Sequence, residues 1–210
     1  MTPVRRQQLF ERLAQANPHP TTELVWHTPF QLLLAVLLSA QSTDVGVNRA
    51  TAPLFPTLQT PQDLLALGST AFEHAIRSLG LYRTKARHAL EMAQLLVDRH
   101  DGRVPETRKE LEALPGVGRK TANVVLNTLY GHPTIAVDTH VFRVANRTGL
   151  ACGTTPLAVE QALLRAVPEP FLPHAHHWLI LLGRHVCLAR APRCGACPIQ
   201  DLCDTGKTRV

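Results

Sequence analysis

Four cysteines are grouped near the C-terminal end of the sequence. The chain has five cysteines, and Cys187, Cys194, Cys197 and Cys203 are separated by six, two and five residues. Thiolates are soft ligands for zinc and for iron–sulfur clusters, and four of them in one loop can surround a single centre. Structural zinc sites usually pair two short knuckles, whereas this loop has one C-x-x-C flanked by two outlying cysteines. The spacing therefore favours a [4Fe-4S] cluster, with zinc as the alternative.

The same loop carries two arginines, Arg190 and Arg193. A folded loop would present both guanidinium groups to solvent, where a phosphate backbone could meet them. Ordinary solvated arginines are the simpler interpretation. The fifth cysteine, Cys152, stands apart, and we expect it to be a small core or surface residue.

A glycine-rich turn, LPGVGRKTA over residues 114–122, lies between two predicted helices. Gly116 and Gly118 allow a tight turn whose N–H groups, at the positive end of a helix dipole, can bind phosphate; a lone G-x-G is usually only a turn. Lys120 follows in the first helical turn, where the dipole and Arg119 both disfavour its ammonium form. A neutral amine can form a Schiff base with a carbon such as C1′ of deoxyribose. The simpler interpretation of Lys120 is a solvent-exposed lysine.

A carboxylate follows a short apolar run in the sequence IAVDTHVF, residues 135–142. Asp138 is predicted to be an N-cap of the next helix, a partly buried acid, or both. In one cleft with Lys120, it could stabilise an oxocarbenium-like transition state or transfer protons. His140 is a candidate for facing the substrate.

The elements that would position these residues are helical. Apolar residues recur at three- and four-residue spacing, and sustained period-two alternation is rare. Helix-on-helix packing with short connections is therefore expected. The predicted helices are Val4–Ala16, Phe30–Ala40, Thr43–Ala50, Pro61–Leu67, Ala71–Leu79, Thr84–Asp101, Glu106–Leu114, Arg119–Tyr130, Thr139–Arg147, Pro156–Val167 and His174–Cys187.

Charge and hydropathy restrict the class of partner. The 210 residues include 22 Lys plus Arg against 16 Asp plus Glu, a formal net charge of +6. This excess favours a polyanionic partner, either nucleic acid or an acidic membrane surface. The longest apolar run, Phe30–Ala40, is far shorter than the roughly 20 residues of a spanning helix, so no membrane role is expected. The N-terminus has no continuous apolar signal region, which predicts a cytoplasmic protein, nucleoid-associated in a bacterium.

Taken together, these motifs resemble a known family. LPGVGRKTANVVL, then VDTHVFRVANR, then C-x6-C-x2-C-x5-C closely resemble the endonuclease III family of the helix-hairpin-helix glycosylase superfamily. NPHPTTEL, LLSAQSTDV, GLYRTKA and HHWLILLGRHVC are similar as well, so the resemblance covers nearly the whole chain. It implies an all-α fold with a six-helix barrel bearing the hairpin over residues 21–132. A [4Fe-4S] cluster domain over residues 133–210, completed by an N-terminal helix in residues 1–20, would follow.

The resemblance also implies a base-excision repair activity. Such enzymes remove oxidised pyrimidines from double-stranded DNA, act on abasic sites, and nick the strand by β-elimination. Lys120 would be the nucleophile and Asp138 the catalytic carboxylate, and the chain would act as a monomer. Gly116 and Gly118 would contact DNA phosphate. The cluster ligands would be Cys187, Cys194, Cys197 and Cys203.

Flipping a nucleotide out of the stack leaves a hole that must be filled. By resemblance, Gln41 would fill it and Leu81 would wedge the opposite strand. The histidines at 174, 176 and 177 invite a metal interpretation, but Trp178 and Leu179 beside them favour packing, so no ligand role is assigned.

Two other functions are compatible with parts of this pattern. An adenine mismatch glycosylase shares hairpin and cluster, but it usually lacks a lysine at the position of Lys120 and carries a further C-terminal domain. A non-catalytic DNA-binding iron–sulfur protein would not need the pair of Lys120 and Asp138.

Overall fold

The computed structural model describes residues 1–206, in which the regular secondary structure is helical and no strand occurs. The chain forms two compact units, one of Thr22–Tyr130 and one that joins residues 1–21 to residue 131 onward. The last four residues of the predicted cluster domain, 207–210, lie outside the described part. Within that part, none of the helices combines the length and apolar character needed to cross a membrane.

Eleven helices are found in residues 1–206, as the all-α prediction requires, and they are numbered in chain order. The unit Thr22–Tyr130 contains α2 (Pro29–Leu38), α3 (Asp44–Thr51), α4 (Pro61–Leu67), α5 (Ser69–Ile76), α6 (Tyr82–His100), α7 (Arg108–Glu112) and α8 (Arg119–Tyr130). The other unit contains α1 (Pro3–Ala16), α9 (Thr139–Thr148), α10 (Pro156–Ala166) and α11 (Leu172–His185), with short 3-10 turns at Glu169–Phe171, Cys194–Ala196 and Gln200–Leu202.

A Thr-Pro pair starts four of these helices. In each, the threonine hydroxyl accepts a hydrogen bond from a backbone N–H of the first turn, and the proline occupies a position where no N–H is needed. The four capping threonines are Thr2, Thr28, Thr60 and Thr155. The predicted starts at Pro61 and Pro156 are confirmed, whereas those at Val4 and Phe30 are one residue late.

Helix α7 is shorter than the predicted Glu106–Leu114. It begins after Thr107, whose side chain caps it by accepting from the N–H of Glu110, and it ends at Glu112. The chain then turns through successive backbone bonds, from Leu114 N to Leu111 O and from Val117 N to Leu114 O. A threonine cap on one side and this turn on the other limit the helix.

Helix α2 forms the centre of the unit Thr22–Tyr130. Its residues from Phe30 to Leu38 are all buried, and it packs against α3, α6 and α8. The polar residue in this run, Gln31, is satisfied because its Nε2 donates to the carbonyls of Phe55 and Leu58, at 2.8 and 2.9 Å. The apolar run is therefore a core helix of this unit.

The core of the second unit joins the N-terminal helix to the C-terminal region. Leu9 and Phe10 of α1 are fully buried among residues of α9, α10 and α11. The Phe10 ring lies 6.2 Å from that of Trp178, whose indole N–H donates to the carbonyl of Asn17. On the same helix, Arg12 forms an ion pair with Asp201 of the last loop.

Candidate functional site

The glycine turn before α8 uses its two glycines differently. Gly116 has a φ of +75°, and a Cβ there would lie 3.0 Å from Cβ of His88 and 3.1 Å from Cδ1 of Leu37. A side chain at Gly116 would therefore be strained and crowded. Gly118 is exposed, has no left-handed φ, and has open space where a Cβ would be. Of these two positions, the fold requires glycine only at 116.

Lys120 is exposed in the first turn of α8, two residues after Gly118. The N–H of Ala122 donates to the carbonyl of Gly118, which makes the turn continuous with the helix. Among residues 1–206, the Lys120 ammonium has no hydrogen-bond or ion-pair partner. The amine is therefore free to approach a ligand held at the turn.

Asp138 is the N-cap of α9, which confirms that part of the prediction. Its Oδ1 accepts hydrogen bonds from the N–H groups of His140 and Val141, both at 2.9 Å. The side chain is half-buried and follows the buried residues Ile135–Val137. The cap fixes the carboxylate's orientation and leaves Oδ2 outside these two bonds.

His140 packs at the start of α9 rather than standing free. A Cβ at Gly183 of α11 would lie 2.8 Å from Cβ of His140, so the two helices approach closely there. The ring Nδ1 is 3.2 Å from Nη2 of Arg143. His140 is half-buried and held by its neighbours.

Gln41 and Leu81 share an uncommon backbone conformation. Their φ values are 53° and 58°, and among non-glycine residues of 1–206 only Asp101 has a comparable one. Both side chains are exposed, Leu81 by 60 %. The two turns are neighbours, because a Cβ at Gly80 would lie 3.9 Å from the carbonyl oxygen of Gln41. Left-handed backbone at such residues costs roughly 1–3 kcal/mol and is concentrated at functional sites.

The four clustered cysteines line one cavity. Its empty volume is about 340 Å³, counting the part open to solvent, and Cys187, Cys194, Cys197 and Cys203 all contribute to its wall. Within residues 1–206, no three His, Cys, Asp or Glu side chains are placed to hold a single metal ion, so the thiols surround the space without meeting at one point. Burial raises the pKa of the Cys197 thiol, while a hydrogen bond from a backbone N–H lowers it. The pKa is also raised by the neighbouring cysteines Cys203, Cys187 and Cys194.

The cavity suits a cluster held by thiolates. The N–H of Gly206 lies 3.3 Å from Sγ of Cys203, and Nη1 of Arg147 lies 3.6 Å from Sγ of Cys187. Both contacts place a donor next to a sulfur, and hydrogen bonds to sulfur tune iron–sulfur clusters. The residues present therefore fit a [4Fe-4S] group.

Two arginines of α9 hold the first part of the cysteine loop, and the sequence motifs did not point to them. Arg147 donates to the carbonyls of Leu188 and Ala189, both at 2.7 Å. Arg143 donates to the carbonyl of Cys187 at 2.9 Å. The available signal was the position of both arginines in VDTHVFRVANR, four residues apart and so on one helix face.

The remaining predicted residues of this unit fall on its surface or in its packing. Arg190 and Arg193 are both exposed on the loop, as is Cys152 elsewhere. The ring of His174 packs edge-on against Trp178, at 5.5 Å between centroids. The other two histidines of the stretch are buried on α11 with their rings 5.1 Å apart.

Comparison with known proteins places these features in one family. Residues 34–169 match the family described as HhH-GPD superfamily base excision DNA repair protein, and residues 187–203 match the iron–sulfur binding domain of endonuclease III. Endonuclease III of Haemophilus influenzae and that of Escherichia coli K12 are each 55% identical over 204 residues, 97% of both chains.

Solved structures agree with the sequence relatives. A trapped endonuclease III–DNA covalent intermediate has a TM-score of 0.91 and 44% identity, covering 100% of this chain and 99% of the other. A non-covalent endonuclease III–DNA complex has the same TM-score and identity, covering 100% and 98%. A thermostable thymine-DNA glycosylase, at 22% identity and a TM-score of 0.85, covers 98% of each and shares the fold.

Proposed function

Since this chain belongs to the HhH-GPD superfamily of base excision DNA repair proteins, and within it to the endonuclease III family, we propose that Lys120 and Asp138 carry its reaction on DNA. The chain is a DNA glycosylase and abasic-site lyase with an iron–sulfur cluster, and its partner is DNA. The observation that carries the residue assignment is the exposed amine of Lys120, directly after the glycine turn and without a partner among residues 1–206.

Lys120 is the nucleophile of the proposed reaction. Its Nζ attacks C1′ of the extruded nucleotide as the bond to the base breaks, and the departing base takes up the proton that Nζ gives up. Opening of the sugar ring gives a Schiff base between Nζ and C1′. Loss of a C2′ proton then expels the 3′ phosphate by β-elimination, and hydrolysis releases the lysine.

Asp138 is the carboxylate of this reaction. A negative charge at a fixed position stabilises the oxocarbenium character that develops at C1′ as the base leaves, and it can accept a proton in the following steps. Its two bonds to backbone N–H groups support this role, because they orient the side chain before substrate binds. His140, two residues further on, faces the substrate in this proposal.

Four further residues hold the DNA. Gly116 and Gly118 let backbone N–H groups approach a phosphate, and the open space above Gly118 supports that assignment. Gln41 fills the hole left by the flipped nucleotide and Leu81 wedges the opposite strand. Their exposure and strained backbone support these roles.

The cysteine loop forms a second contact with DNA. The ligands we propose for the [4Fe-4S] cluster are Cys187, Cys194, Cys197 and Cys203. When bound, the cluster would crosslink the cysteine loop and hold its conformation, and we assign it no step in the reaction. Arg190 and Arg193 then contact the phosphate backbone as exposed cations.

The substrates proposed are oxidised pyrimidines and abasic sites in double-stranded DNA. Because one chain carries every residue assigned a role, we infer that the protein acts as a monomer. Its proposed location is the cytoplasm, where it acts on the DNA of the nucleoid. A panel of duplexes carrying oxidised pyrimidines, abasic sites or adenine mismatches tests this specificity. Release of adenine from the mismatch without strand nicking would overturn it.

Borohydride trapping tests the mechanism. Reduction of the Schiff base should yield a covalent adduct of wild-type protein with a duplex that carries an oxidised pyrimidine. Lys120→Ala should give no adduct, while Lys109→Ala, which removes an exposed lysine of α7, should trap as wild type does. Visible absorbance of the cluster shows that each variant is folded. Adduct formation and base release at the normal rate by Lys120→Ala would overturn the proposal.

A further inference from the structure

Lys85 is buried, unlike every other lysine and arginine in residues 1–206. It is 5 % exposed, and its ammonium donates to Oγ of Ser42 at 2.7 Å. Within the described chain no carboxylate lies within 4.0 Å of it, and burial lowers the pKa of the group. Burying an ammonium without an acidic partner is unfavourable, so this hydrogen bond compensates only part of the cost.

The position of this hydrogen bond relates Lys85 to the two exposed turns. Lys85 lies in the first turn of α6, and its N–H donates to the carbonyl of Leu81, the residue that precedes the helix. Ser42 directly follows Gln41 in the chain. The hydrogen bond from Nζ of Lys85 to Oγ of Ser42 therefore connects the start of α6, where Leu81 is the N-cap, to the residue next to Gln41. The two turns also approach each other at Gly80.

We propose that Lys85 is a positioning residue that holds the Gln41 turn against the Leu81 turn. Backbone in a strained conformation persists only where its surroundings hold it, and both turns are strained. Filling the hole and wedging the opposite strand must occur together on one duplex, which requires a set spacing between the two side chains. The buried ammonium sets that spacing from inside the fold, without touching DNA.

This inference rests on the proposed roles of Gln41 and Leu81, and two substrates separate it from the chemistry. A duplex with an oxidised pyrimidine and a fluorescent base opposite it requires extrusion and wedging. A single-stranded abasic site requires only Schiff-base formation. Single-turnover rates are measured on both substrates, and the fluorescence change is measured on the duplex. Together they distinguish an effect on the position of the two turns from an effect on the chemical step.

Lys85→Met keeps most of the side-chain volume and removes the donor. We expect it to slow extrusion and nicking of the duplex by about tenfold or more, as loss of a hydrogen bond to a charged group would, with less than about a twofold change on the single strand. Ser42→Ala should act in the same direction, and Ser42→Thr, which keeps the hydroxyl, should restore the rate. The double variant Lys85→Met with Ser42→Ala should be no slower than Lys85→Met alone, because the two substitutions remove the same hydrogen bond.

Lys109→Met is the matched control, since that lysine is exposed on α7, and it should leave both substrates unchanged. Equal losses on duplex and single strand for Ser42→Ala would mean a general structural role and would overturn the inference, as would normal duplex rates for both variants. If wild-type protein formed no adduct with either substrate, the proposed function would fail first and this inference with it.

Discussion

At the scale of single residues, Asp138 combines a structural and a chemical role. The same Oδ1 that caps α9 belongs to the carboxylate assigned to the reaction. Asparagine caps a helix about as well as aspartate but has no negative charge. Asp138→Asn therefore separates the two roles.

We expect Asp138→Asn to lower the rate of base release about 10²- to 10⁴-fold, since it removes a catalytic carboxylate. Its unfolding free energy should fall by less than about 1 kcal/mol, the contribution of a charge at a helix N-terminus. Asp138→Ala should cost about 1 kcal/mol more because the cap is also lost. Single-turnover assays and thermal unfolding of the three proteins measure this. A fully active Asp138→Asn would contradict the assigned role.

Some residues of the site could not be predicted from residue type. Left-handed backbone is common for glycine and asparagine but rare for leucine, so nothing in GLYRTKA alone predicts the conformation of Leu81. Lysine is almost never fully buried, so Lys85 in the same segment is expected at the surface. Both features depend on tertiary contacts, and only the family resemblance pointed to Leu81. Asp138, by contrast, was predictable because an N-cap is a local feature.

At the scale of elements, the glycine turn before α8 allows fold and binding to be tested separately. Gly116→Ala should destabilise the protein by about 1–2 kcal/mol or more, because the residue has a left-handed φ and close neighbours. Gly118→Ala should change stability by less than about 0.5 kcal/mol, since its Cβ meets no atom within 4 Å.

Gly118→Ala should nevertheless weaken DNA binding, because its Cβ would stand where the phosphate must approach the backbone. Thermal unfolding and fluorescence anisotropy with labelled duplex measure the two effects. Unchanged affinity for the Gly118→Ala variant would remove that glycine from the proposed phosphate site.

Helix α11 should make stability depend on pH. Burial, and secondarily the nearby positive charge of His174, lower the pKa of His177 from 6.5 to about 4. The folded protein therefore binds fewer protons than the unfolded chain between these values. The contribution of His177 to the unfolding free energy is therefore fully present above pH 6.5. It is lost as the pH decreases towards 4, and the loss is about 3 kcal/mol at most.

Denaturant unfolding between pH 7 and pH 5 tests this dependence. His177→Gln should flatten the decline, while His19→Gln, at an exposed position near the N-terminus, should retain it. The same slope in wild type and His177→Gln would show that other groups cause the loss.

Helix boundaries were predictable where local chemistry sets them. The Thr-Pro pairs at Thr60 and Thr155 mark a cap and a first helical residue, and the structure begins both helices there. The prediction for α7 was too long because Glu106 and Leu114 fit a helical pattern, although the Thr107 cap and the following turn exclude them. Periodicity alone does not detect such competing local bonds.

At the scale of the whole molecule, the all-α class followed from periodicity, but the pairing of distant segments did not. Phe10 and Trp178 are far apart in sequence but pack in one core. Arg12 and Asp201 are similarly distant and form an ion pair. No local pattern specifies such contacts. The sequence predicted only the coarser arrangement, in which an N-terminal helix completes the C-terminal domain.

The positive charge of the molecule leads to the last prediction. With a net charge of +6, the chain should bind duplex DNA with an affinity that falls steeply with salt, because each cation that neutralises a phosphate releases a counterion. Arg190→Ala and Arg193→Ala should each lower the slope of log affinity against log salt by about 0.9, if each arginine contacts one phosphate. Arg165→Ala, which removes an exposed cation of α10 with no assigned role, should leave the slope unchanged. Anisotropy titrations at several salt concentrations, on proteins whose visible absorbance shows an intact cluster, measure the slope. An equal change for all three variants would indicate diffuse attraction by the net charge, and it would remove the cysteine loop from the DNA contact.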